Sequence, residues 1–389
     1  MKFWTSIFGY SEIVLRLPSI LFSLITGWMI FKIVEGLKGK NIGLWAAALF
    51  LFNPLIIYYS QEARMYSLLT MFITLVLYYL FKIITLRQCD LGKGFKFTAA
   101  VNVKHSFQND NVNIIFCNLF IFLSFLTFYG SIFFIVSIYL YLLIKKELKL
   151  LFNLLPGLLL SFIIISPLLY QQFINSKIVI KEVLNWGLVL GKANIKNLLL
   201  IPIKFSIGRI SFEPKILYWT ISGLWTVFLF HLILKAMSNL RGWPKKSIRI
   251  FLWLFFVPLV EGFIASFFTP MLQYFRFIYL IPVMIILIVI GANRNWQKII
   301  ILSGFVVFSF IYLLNPIYHK EDWESLVSNL DNKKPVYMIQ SSSDPIKYYN
   351  NKIEVRDLRN LQDYELENNI QIIPYSTEIH GIKISKNFK

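Results

Sequence analysis

The stretch YFRFIYLIPVMIILIVIGA, residues 274–292, decides the class of this protein. It has one charged residue, Arg276, in 19 positions, and about 20 mostly apolar residues suffice for a helix to cross a bilayer. The whole chain shares this character: 57% of its 389 residues are hydrophobic, 15% are charged, and the mean hydropathy is +0.63. A soluble chain has about 25% charged residues, and a disordered chain combines low hydrophobicity with high charge. The sequence therefore excludes both classes and predicts a membrane protein with many spans.

Nine further apolar stretches predict an all-α membrane domain of about ten transmembrane helices. One helix through 113–144 would be about 48 Å long, against a hydrocarbon core of about 30 Å. We therefore expect two short helices there, with a break at Tyr129-Gly130. The predicted spans are 14–34, 42–59, 66–86, 113–129, 131–144, 151–170, 216–235, 250–268, 274–292 and 299–315.

The composition changes after the last predicted span. Residues 316–389 contain 10 Lys or Arg and 11 Asp or Glu, whereas residues 1–315 contain 29 and 9. Within this tail, the apolar patterns predict a helix and three strands. These elements are Glu321–Leu330, Pro335–Gln340, Ile353–Leu358 and Gln371–Pro374. We therefore expect a transmembrane domain over 1–315 and a small α/β domain over 316–389.

The net charge of +19 is a signal of membrane topology. The excess lies in the membrane part, where Lys and Arg mark cytoplasmic loops and meet anionic membrane lipids. Alternate connections between the predicted spans contain 15 of these residues, and the other connections, including the long loop 171–215, contain 9. This bias predicts that both termini and the tail lie outside the cytoplasm. It also removes the argument for a nucleic-acid partner.

A polar turn between the second and third predicted spans has the densest group of reactive side chains. It reads YYSQEARMY over residues 58–66 and contains Glu62, Arg64 and Tyr66. Arginine suits a phosphate because its planar guanidinium donates two hydrogen bonds at once. On chemistry alone two interpretations stay open: a site for an anionic ligand, or an ion pair among the tyrosines of the membrane boundary.

Two further charged residues lie inside predicted spans. A charge near the bilayer centre costs about 2.5–3.5 kcal/mol on insertion scales. Glu261 lies about 10 Å below the outer end of its span, so it must be protonated or paired. Arg276, near the outer end of the next span, is a reachable partner. The two predict either a cavity for an anionic headgroup or a structural ion pair.

The sequence offers little support for other site types. It has no metal-spaced His or Cys cluster and no glycine loop for a nucleotide, so we expect neither a metal nor a cofactor. Cys89 and Cys117 are too few for a disulfide framework. Trp186, in the loop 171–215, would either stack on a sugar ring or anchor the loop at the interface.

A series of short motifs runs through the chain, most clearly over residues 10–140. They are Ser11-Glu12, Leu15-Arg16-Leu17-Pro18-Ser19, Asn53-Pro54, the turn 58–66, Phe128-Tyr129-Gly130, Arg276-Phe277 with Pro282, and Asp322-Trp323. In type and order they resemble signatures of glycosyltransferase family 39, the prokaryotic relatives of the dolichyl-phosphate-mannose protein mannosyltransferases in the GT-C group. The Glu-Ala-Arg-Met-Tyr turn is the most specific of them.

The resemblance implies a membrane glycosyltransferase in a prokaryotic cell membrane. Such an enzyme moves one sugar from a polyprenyl-phosphate donor to a lipid, glycan or protein acceptor at the outer face, without a cofactor. The resemblance also implies that substrate is bound by Glu62, Arg64, Tyr66, Glu261 and Arg276, since the charge of the departing phosphate must be stabilised.

The chain departs from the family pattern at its start. In the family, a first span and a first outer loop precede the region matched by residues 1–10, and that loop supplies the acidic residue regarded as the general base. No aspartate precedes Asp90, so the catalytic residues stay unassigned. The sequence is expected to be either a fragment or a mis-started reading frame, or a relative without the usual catalytic loop, and the chain as given would then be inactive. A transporter or lipid flippase, which would favour inverted repeats, and a non-catalytic membrane subunit are the alternatives.

Overall fold

The computed structural model describes residues 2–90, 110–182, 185, 190–238, 245–319, 321–361, 370–377 and 379. The chain divides into two compact units. The first contains Met1–Pro167 and Lys192–Tyr318, and the second contains Leu168–Gly191 and His319–Lys389.

The described chain before the tail is almost entirely helical. Its helices are α1 (Lys2–Phe8), α2 (Glu12–Lys38), α3 (Lys40–Leu51), α4 (Pro54–Ser60), α5 (Tyr66–Asp90), α6 (Asp110–Thr127), α7 (Ile132–Ile144), α8 (Leu148–Glu182), α9 (Ile195–Ile207), α10 (Lys215–Ser238), α11 (Lys245–Ala265), α12 (Ile281–Gly291) and α13 (Asn295–Leu314). Short 3-10 segments precede α7, at Tyr129–Ser131, and α12, at Tyr274–Leu280.

The transmembrane architecture predicted from the sequence is confirmed. Among the described residues, eight helices are long and apolar enough to cross a membrane. The pair α3 and α4, bent by 63°, makes a ninth if it counts as one broken span, and Tyr129–Ile144 is a shorter apolar helix. Each of the ten predicted spans thus coincides with apolar helical chain, but only eight are continuous helices of full length.

The break in the second predicted span comes from Asn53 and Pro54. Pro54 begins α4, where a missing backbone N–H costs no helical hydrogen bond. The Asn53 side-chain oxygen caps the helix by accepting from the N–H groups of Leu55 at 3.0 Å and Ile56 at 3.3 Å. Its side-chain nitrogen donates to the Phe205 carbonyl oxygen at 2.8 Å. Since Asn53 is fully buried and its hydrogen bonds are made, the bend is a fixed feature that aims α4 at the polar turn.

α12 is buried on every side in the first unit. All its residues from Ile281 to Gly291 are buried, as expected for a helix that is apolar all round. At Gly291 an added Cβ would lie 1.9 Å from the carbonyl oxygen of Leu232, so the backbones of α10 and α12 pack directly together. This tight packing fixes the position of the 3-10 segment Tyr274–Leu280, which contains Arg276.

The second unit contains the small α/β fold predicted for the tail. The strands β1 (Val336–Met338), β2 (Val355–Asp357) and β3 (Gln371–Ile372) are parallel, in the order β2-β1-β3. Two short helices accompany them, α14 (Trp323–Ser328) and α15 (Asp344–Tyr349). The core consists of Val327, Val336, Met338, Ile346, Ile353 and Ile373. The sequence predicted every one of these elements except α15, whose six residues are too short and polar to show a helical period.

Candidate substrate site

The polar turn between α4 and α5 is fixed by hydrogen bonds at both ends. At its start, the backbone N–H of Glu62 donates to the Tyr59 carbonyl oxygen at 3.3 Å. The Ser19 hydroxyl of α2 donates to the Glu62 carbonyl oxygen at 2.5 Å. From α5, the Ser67 hydroxyl donates to the same Tyr59 carbonyl oxygen at 2.9 Å. The direction in which the Glu62 side chain leaves the backbone is therefore set by the fold.

Glu62 and Arg64 combine a buried negative charge with an accessible positive one. Glu62 is only 4% exposed. Its Oε2 lies 3.5 Å from Nε of Arg64, whose side chain is 65% exposed. A ligand can therefore reach the exposed Arg64 side chain, while the buried Glu62 carboxylate holds Arg64 in position.

Tyr66 connects the turn with the segment before α12. Its buried ring contacts Tyr59 and Phe275, with ring centroids 5.1 and 5.6 Å away. Arg64 and Arg276 both interact electrostatically with its hydroxyl, as does Glu62. Four of the five residues predicted from the sequence, Glu62, Arg64, Tyr66 and Arg276, thus come together around one tyrosine.

Arg276 differs from Arg16 and Arg64 in its charge balance. It is half-buried, and in the described part of the chain its guanidinium forms no ion pair; its electrostatic partner is Tyr66. Arg16, by contrast, lies 2.7 Å from Glu12, and Arg64 pairs with Glu62. A half-buried guanidinium without a carboxylate is the kind of group that binds an anion.

Glu261, the fifth predicted residue, has a different partner from the one expected. The Glu261 carboxyl Oε1 lies 3.2 Å from the Ser137 hydroxyl of α7, and over the described residues it makes no ion pair with Arg276. Of the two alternatives for Glu261, a pair with Arg276 is thus wrong, and a protonated carboxyl group remains. An added Cβ at Gly262 would lie 2.3 Å from Cζ of Phe277, so Phe277 packs against α11. Arg276, one residue earlier on a 3-10 helix, is rotated away from α11 towards the turn.

Sequence reasoning missed Arg209, a third arginine of the cluster. Its Nη1 donates to the Tyr58 hydroxyl, and its Cζ lies 4.7 Å from the centroid of the Tyr58 ring. Tyr59 and Tyr274 also interact electrostatically with it. In the sequence, Arg209 was one of seven basic residues of the loop 171–215 and counted only towards topology; its neighbour Gly208 was the available signal of a close approach.

Gly208 explains how Arg209 reaches the turn. Its φ of +74° lies in a region that side chains other than glycine rarely adopt. An added Cβ there would lie 3.0 Å from Cβ of Pro54. The chain after α9 can therefore pass directly over the start of α4, which brings Arg209 to Tyr58.

Two other predictions have no structural outcome. Trp186 lies outside the described residues. Within the ranges that are described, no group of three or more His, Cys, Asp or Glu side chains is placed to hold a metal ion, and the absence of a metal stays a prediction.

The comparisons with known proteins agree with the resemblance found in the sequence. A family model described as "Dolichyl-phosphate-mannose-protein mannosyltransferase" matches residues 1–171. Among solved structures, the chain is similar to ArnT from Cupriavidus metallidurans in the apo state, with 11% identity, a TM-score of 0.53, and coverage of 96% of this chain and 78% of that one. The structure of the same ArnT bound to undecaprenyl phosphate matches with 13% identity, the same coverage and a TM-score of 0.41. A comparison with curated proteins found no match.

These findings confirm the family resemblance for the first part of the chain and the fold for most of its length. The family model covers the spans and the turn that contain the most specific motifs. The likeness to apo ArnT shows a GT-C fold over nearly the whole chain.

Proposed function

We propose that this membrane glycosyltransferase of the GT-C type moves one sugar from a polyprenyl-phosphate donor to a lipid, glycan or protein acceptor at the outer membrane face. The family model over residues 1–171 supports sugar transfer. The sequence motifs support a polyprenyl-phosphate donor by resemblance. The observation that carries the donor assignment is the position of Arg276 beside Tyr66 and Arg64, where it forms no ion pair with any described residue.

Arg276 and Arg64 together have the chemistry of a phosphate site. Arg276 belongs to the apolar segment Tyr274–Gly291, where a cation is costly unless an anion compensates it. Arg64 provides a second guanidinium at the same tyrosine. Two planar guanidinium groups can bind the oxygens of one phosphate bidentately. A lipid-linked phosphate is an anion that a polyprenyl chain would hold at this depth.

In the proposed reaction, a nucleophilic atom of the acceptor attacks the anomeric carbon of the sugar. The bond between that carbon and the phosphate oxygen breaks, and the phosphate leaves with the electron pair. Arg64 and Arg276 would stabilise the charge that grows on this oxygen. Glu62 is a positioning residue that holds Arg64, and the group that takes the acceptor proton is unassigned.

The distribution of basic residues supports a topology for this reaction. We propose that both termini lie outside the cytoplasm of a prokaryotic cell, and that the outer domain begins near residue 316. Lys352 is exposed in the second unit, so an impermeant maleimide should label Lys352→Cys in intact cells. The protein with only its natural cysteines is the control. Labelling that requires permeabilised cells would contradict this topology.

The test of the function uses the purified full-length protein in lipid nanodiscs. Undecaprenyl-phosphate donors with different labelled sugars are supplied with membrane extracts as acceptor, and both the labelled product and the released undecaprenyl phosphate are measured. We expect transfer, and Arg276→Ala should lower its rate about 100-fold. Arg294→Ala, which alters an exposed arginine at the start of α13, should leave the rate unchanged.

Three outcomes would overturn the proposal. Equal rates for wild type and Arg276→Ala would contradict the donor assignment. Movement of the donor across the bilayer without cleavage of the sugar–phosphate bond would favour the flippase. Absence of both donor binding and transfer would favour the non-catalytic subunit.

A further inference from the structure

Two cations at the end of α9 have no anionic partner in the described part of the chain. The Lys204 Nζ donates to the Tyr218 hydroxyl at 3.0 Å and to the Ile210 carbonyl oxygen at 3.3 Å. Arg209 donates to the Tyr58 hydroxyl. All three of these acceptors are neutral. The positive charges of Lys204 and Arg209 therefore remain uncompensated by the described residues around them.

The fold holds these two like charges near each other. The charge of Arg209 acts directly on Lys204, and such a repulsion is unfavourable in a partly buried setting. The contact of Gly208 with Pro54 and the hydrogen bond from Asn53 to the Phe205 carbonyl oxygen fix the backbone between them. Because the fixed backbone keeps Lys204 and Arg209 close, their repulsion would be relieved by an anion that binds both.

Both side chains keep hydrogen-bond donors for such an anion. An ammonium has three N–H donors and a guanidinium has five. Lys204 uses two of its donors on Tyr218 and Ile210, and Arg209 uses one on Tyr58. Arg209 is also exposed, so a ligand can reach it. The Lys204 ammonium and the planar Arg209 guanidinium together can donate hydrogen bonds to the oxygens of one phosphate.

This pair is linked to the turn through a different tyrosine from the proposed donor site. Arg64 and Arg276 act on Tyr66, whereas Arg209 acts on Tyr58. Glu62 interacts with both tyrosines. The site therefore has two groups of cations around one buried carboxylate, and two substrates must meet in any transfer reaction.

We propose that Lys204 and Arg209 form a second anion site, which binds a phosphomonoester on the second substrate. This inference rests on the proposed function, because it assigns the donor phosphate to Arg64 and Arg276. It gives the protein a preference for phosphate-bearing substrates that the donor site alone would not impose.

The pH dependence of binding gives this proposal a signature. Burial, together with the positive charge of Arg209, lowers the pKa of Lys204 to about 8. The ammonium is therefore present below pH 8 and is lost as the pH rises through this value. A phosphomonoester keeps its charge over this range, because its second pKa is about 6. Among the described residues, the titratable groups that interact with the pair are Tyr58, Tyr59, Tyr218, Tyr274 and Tyr312.

The experiment measures binding of phenyl phosphate to the full-length protein in phosphatidylcholine nanodiscs already saturated with undecaprenyl phosphate. Wild type should bind it with an affinity that falls about tenfold between pH 7 and pH 9. Lys204→Met and Arg209→Gln should each weaken binding at pH 7 about tenfold and leave the affinity for undecaprenyl phosphate unchanged. Lys204→Arg should keep the binding and remove its pH dependence, since guanidinium does not deprotonate. Lys196→Met, at an exposed position of the same helix, is the matched control.

The outcomes separate this inference from the proposed function. If phenyl phosphate binds in nanodiscs without undecaprenyl phosphate but not in saturated ones, or if the Lys204 and Arg209 variants weaken binding of the lipid instead, the pair belongs to the donor site and the inference is wrong. Equal binding of phenyl phosphate by all variants would overturn it as well. Sugar transfer without a second phosphate site would refute only the inference, whereas a second phosphate site without sugar transfer would refute only the function. Melting temperatures of all variants check that each is folded.

Discussion

Glu62, in the turn between α4 and α5, and Glu261, within the apolar helix α11, are both carboxyl groups of the membrane domain, but they differ in their charged neighbours. Glu62 lies in a turn that it shares with Arg64, and it interacts with Tyr58 and Tyr66. Glu261 lies within an apolar helix, where it contacts the Ser137 hydroxyl and acts on Tyr279, and among the described residues it forms no ion pair. The sequence treats them as equal candidates, whereas the structure associates only Glu62 with cations.

Counting protons shows the charge state of Glu261. A serine hydroxyl has one proton, and Ser137 Oγ lies 2.8 Å from the Phe133 carbonyl oxygen, the usual acceptor of a helical serine. The second contact, from the same hydroxyl to Oε1 of Glu261 at 3.2 Å, shares that one proton and is too weak to compensate a buried charge. Oε2 of Glu261 is buried, with no hydrogen-bond partner among the described residues, which would be costly for an ion. Glu261 is therefore best described as a neutral acid.

A carboxyl group inside the membrane domain is therefore not functional by its position alone. A neutral acid carries no charge that a cation must compensate. A buried carboxylate that holds an exposed guanidinium leaves half of the pair available to a ligand. What distinguishes Glu62 from Glu261 is a nearby cation that still has N–H donors for a ligand. Substitutions at the two glutamates should therefore have different effects.

The largest expected effect is that of Glu62→Gln. The amide keeps the shape of the side chain but removes the charge that holds Arg64 and also acts on Tyr58 and Tyr66, so more than the position of Arg64 is lost. We expect sugar transfer to fall about 100-fold, with a smaller change in the affinity for the donor. The rate constant and the donor affinity are measured separately on protein with an unchanged melting temperature. A wild-type rate would show that Glu62 is no more functional than Glu261.

Arg64→Ala should have the next largest effect. The side chain is 65% exposed, so water screens its charge and the loss should be about tenfold rather than 100-fold. Arg64→Lys should restore part of the activity, because it keeps the charge without the planar fork. Assays at increasing salt concentration test the electrostatic origin, since the difference between wild type and Arg64→Ala should shrink as screening grows. A difference that is independent of salt would contradict this explanation.

The contrast between the two glutamates also shows how much the sequence could reveal. Hydropathy located the spans, and the turn residues Glu62 and Arg64 are close in sequence, so their meeting needed no tertiary information. Arg209 could not be predicted to join them. Its place depends on the contact of Gly208 with Pro54 and on a hydrogen bond between Asn53 and Phe205, which are 152 residues apart.

The partner of Glu261 was mispredicted for a related reason. Reach along the two helices allowed a pair with Arg276, but the rotation of the 3-10 segment decides which side chain meets α11. That rotation follows from the space at Gly262, which Phe277 fills. Such a match between a glycine and an aromatic ring on another element is invisible in a single sequence.

Tyr66→Phe should have a modest effect. The substitution keeps the ring that packs against Tyr59 and Phe275 and removes only the hydroxyl beside Arg64 and Arg276. The loss of one hydrogen-bonding group predicts about a fivefold fall in kcat/KM. Tyr79→Phe, on the same helix α5, is the matched control and should be neutral. A loss as large as that of Glu62→Gln would mean that the hydroxyl takes part in the chemistry.

Glu261→Gln should have the smallest effect, and it tests the comparison most directly. A glutamine amide oxygen can accept from the Ser137 hydroxyl as Oε1 of the acid does, so both transfer and melting temperature should stay close to wild type. Glu261→Ala should lower the melting temperature, because it removes this hydrogen bond and leaves unfilled space, while transfer by the folded fraction persists. If Glu261→Gln instead abolished transfer in a folded protein, the charge of Glu261 would be functional. The distinction between the two glutamates would then fail, because a carboxyl group without a cation would have proved essential.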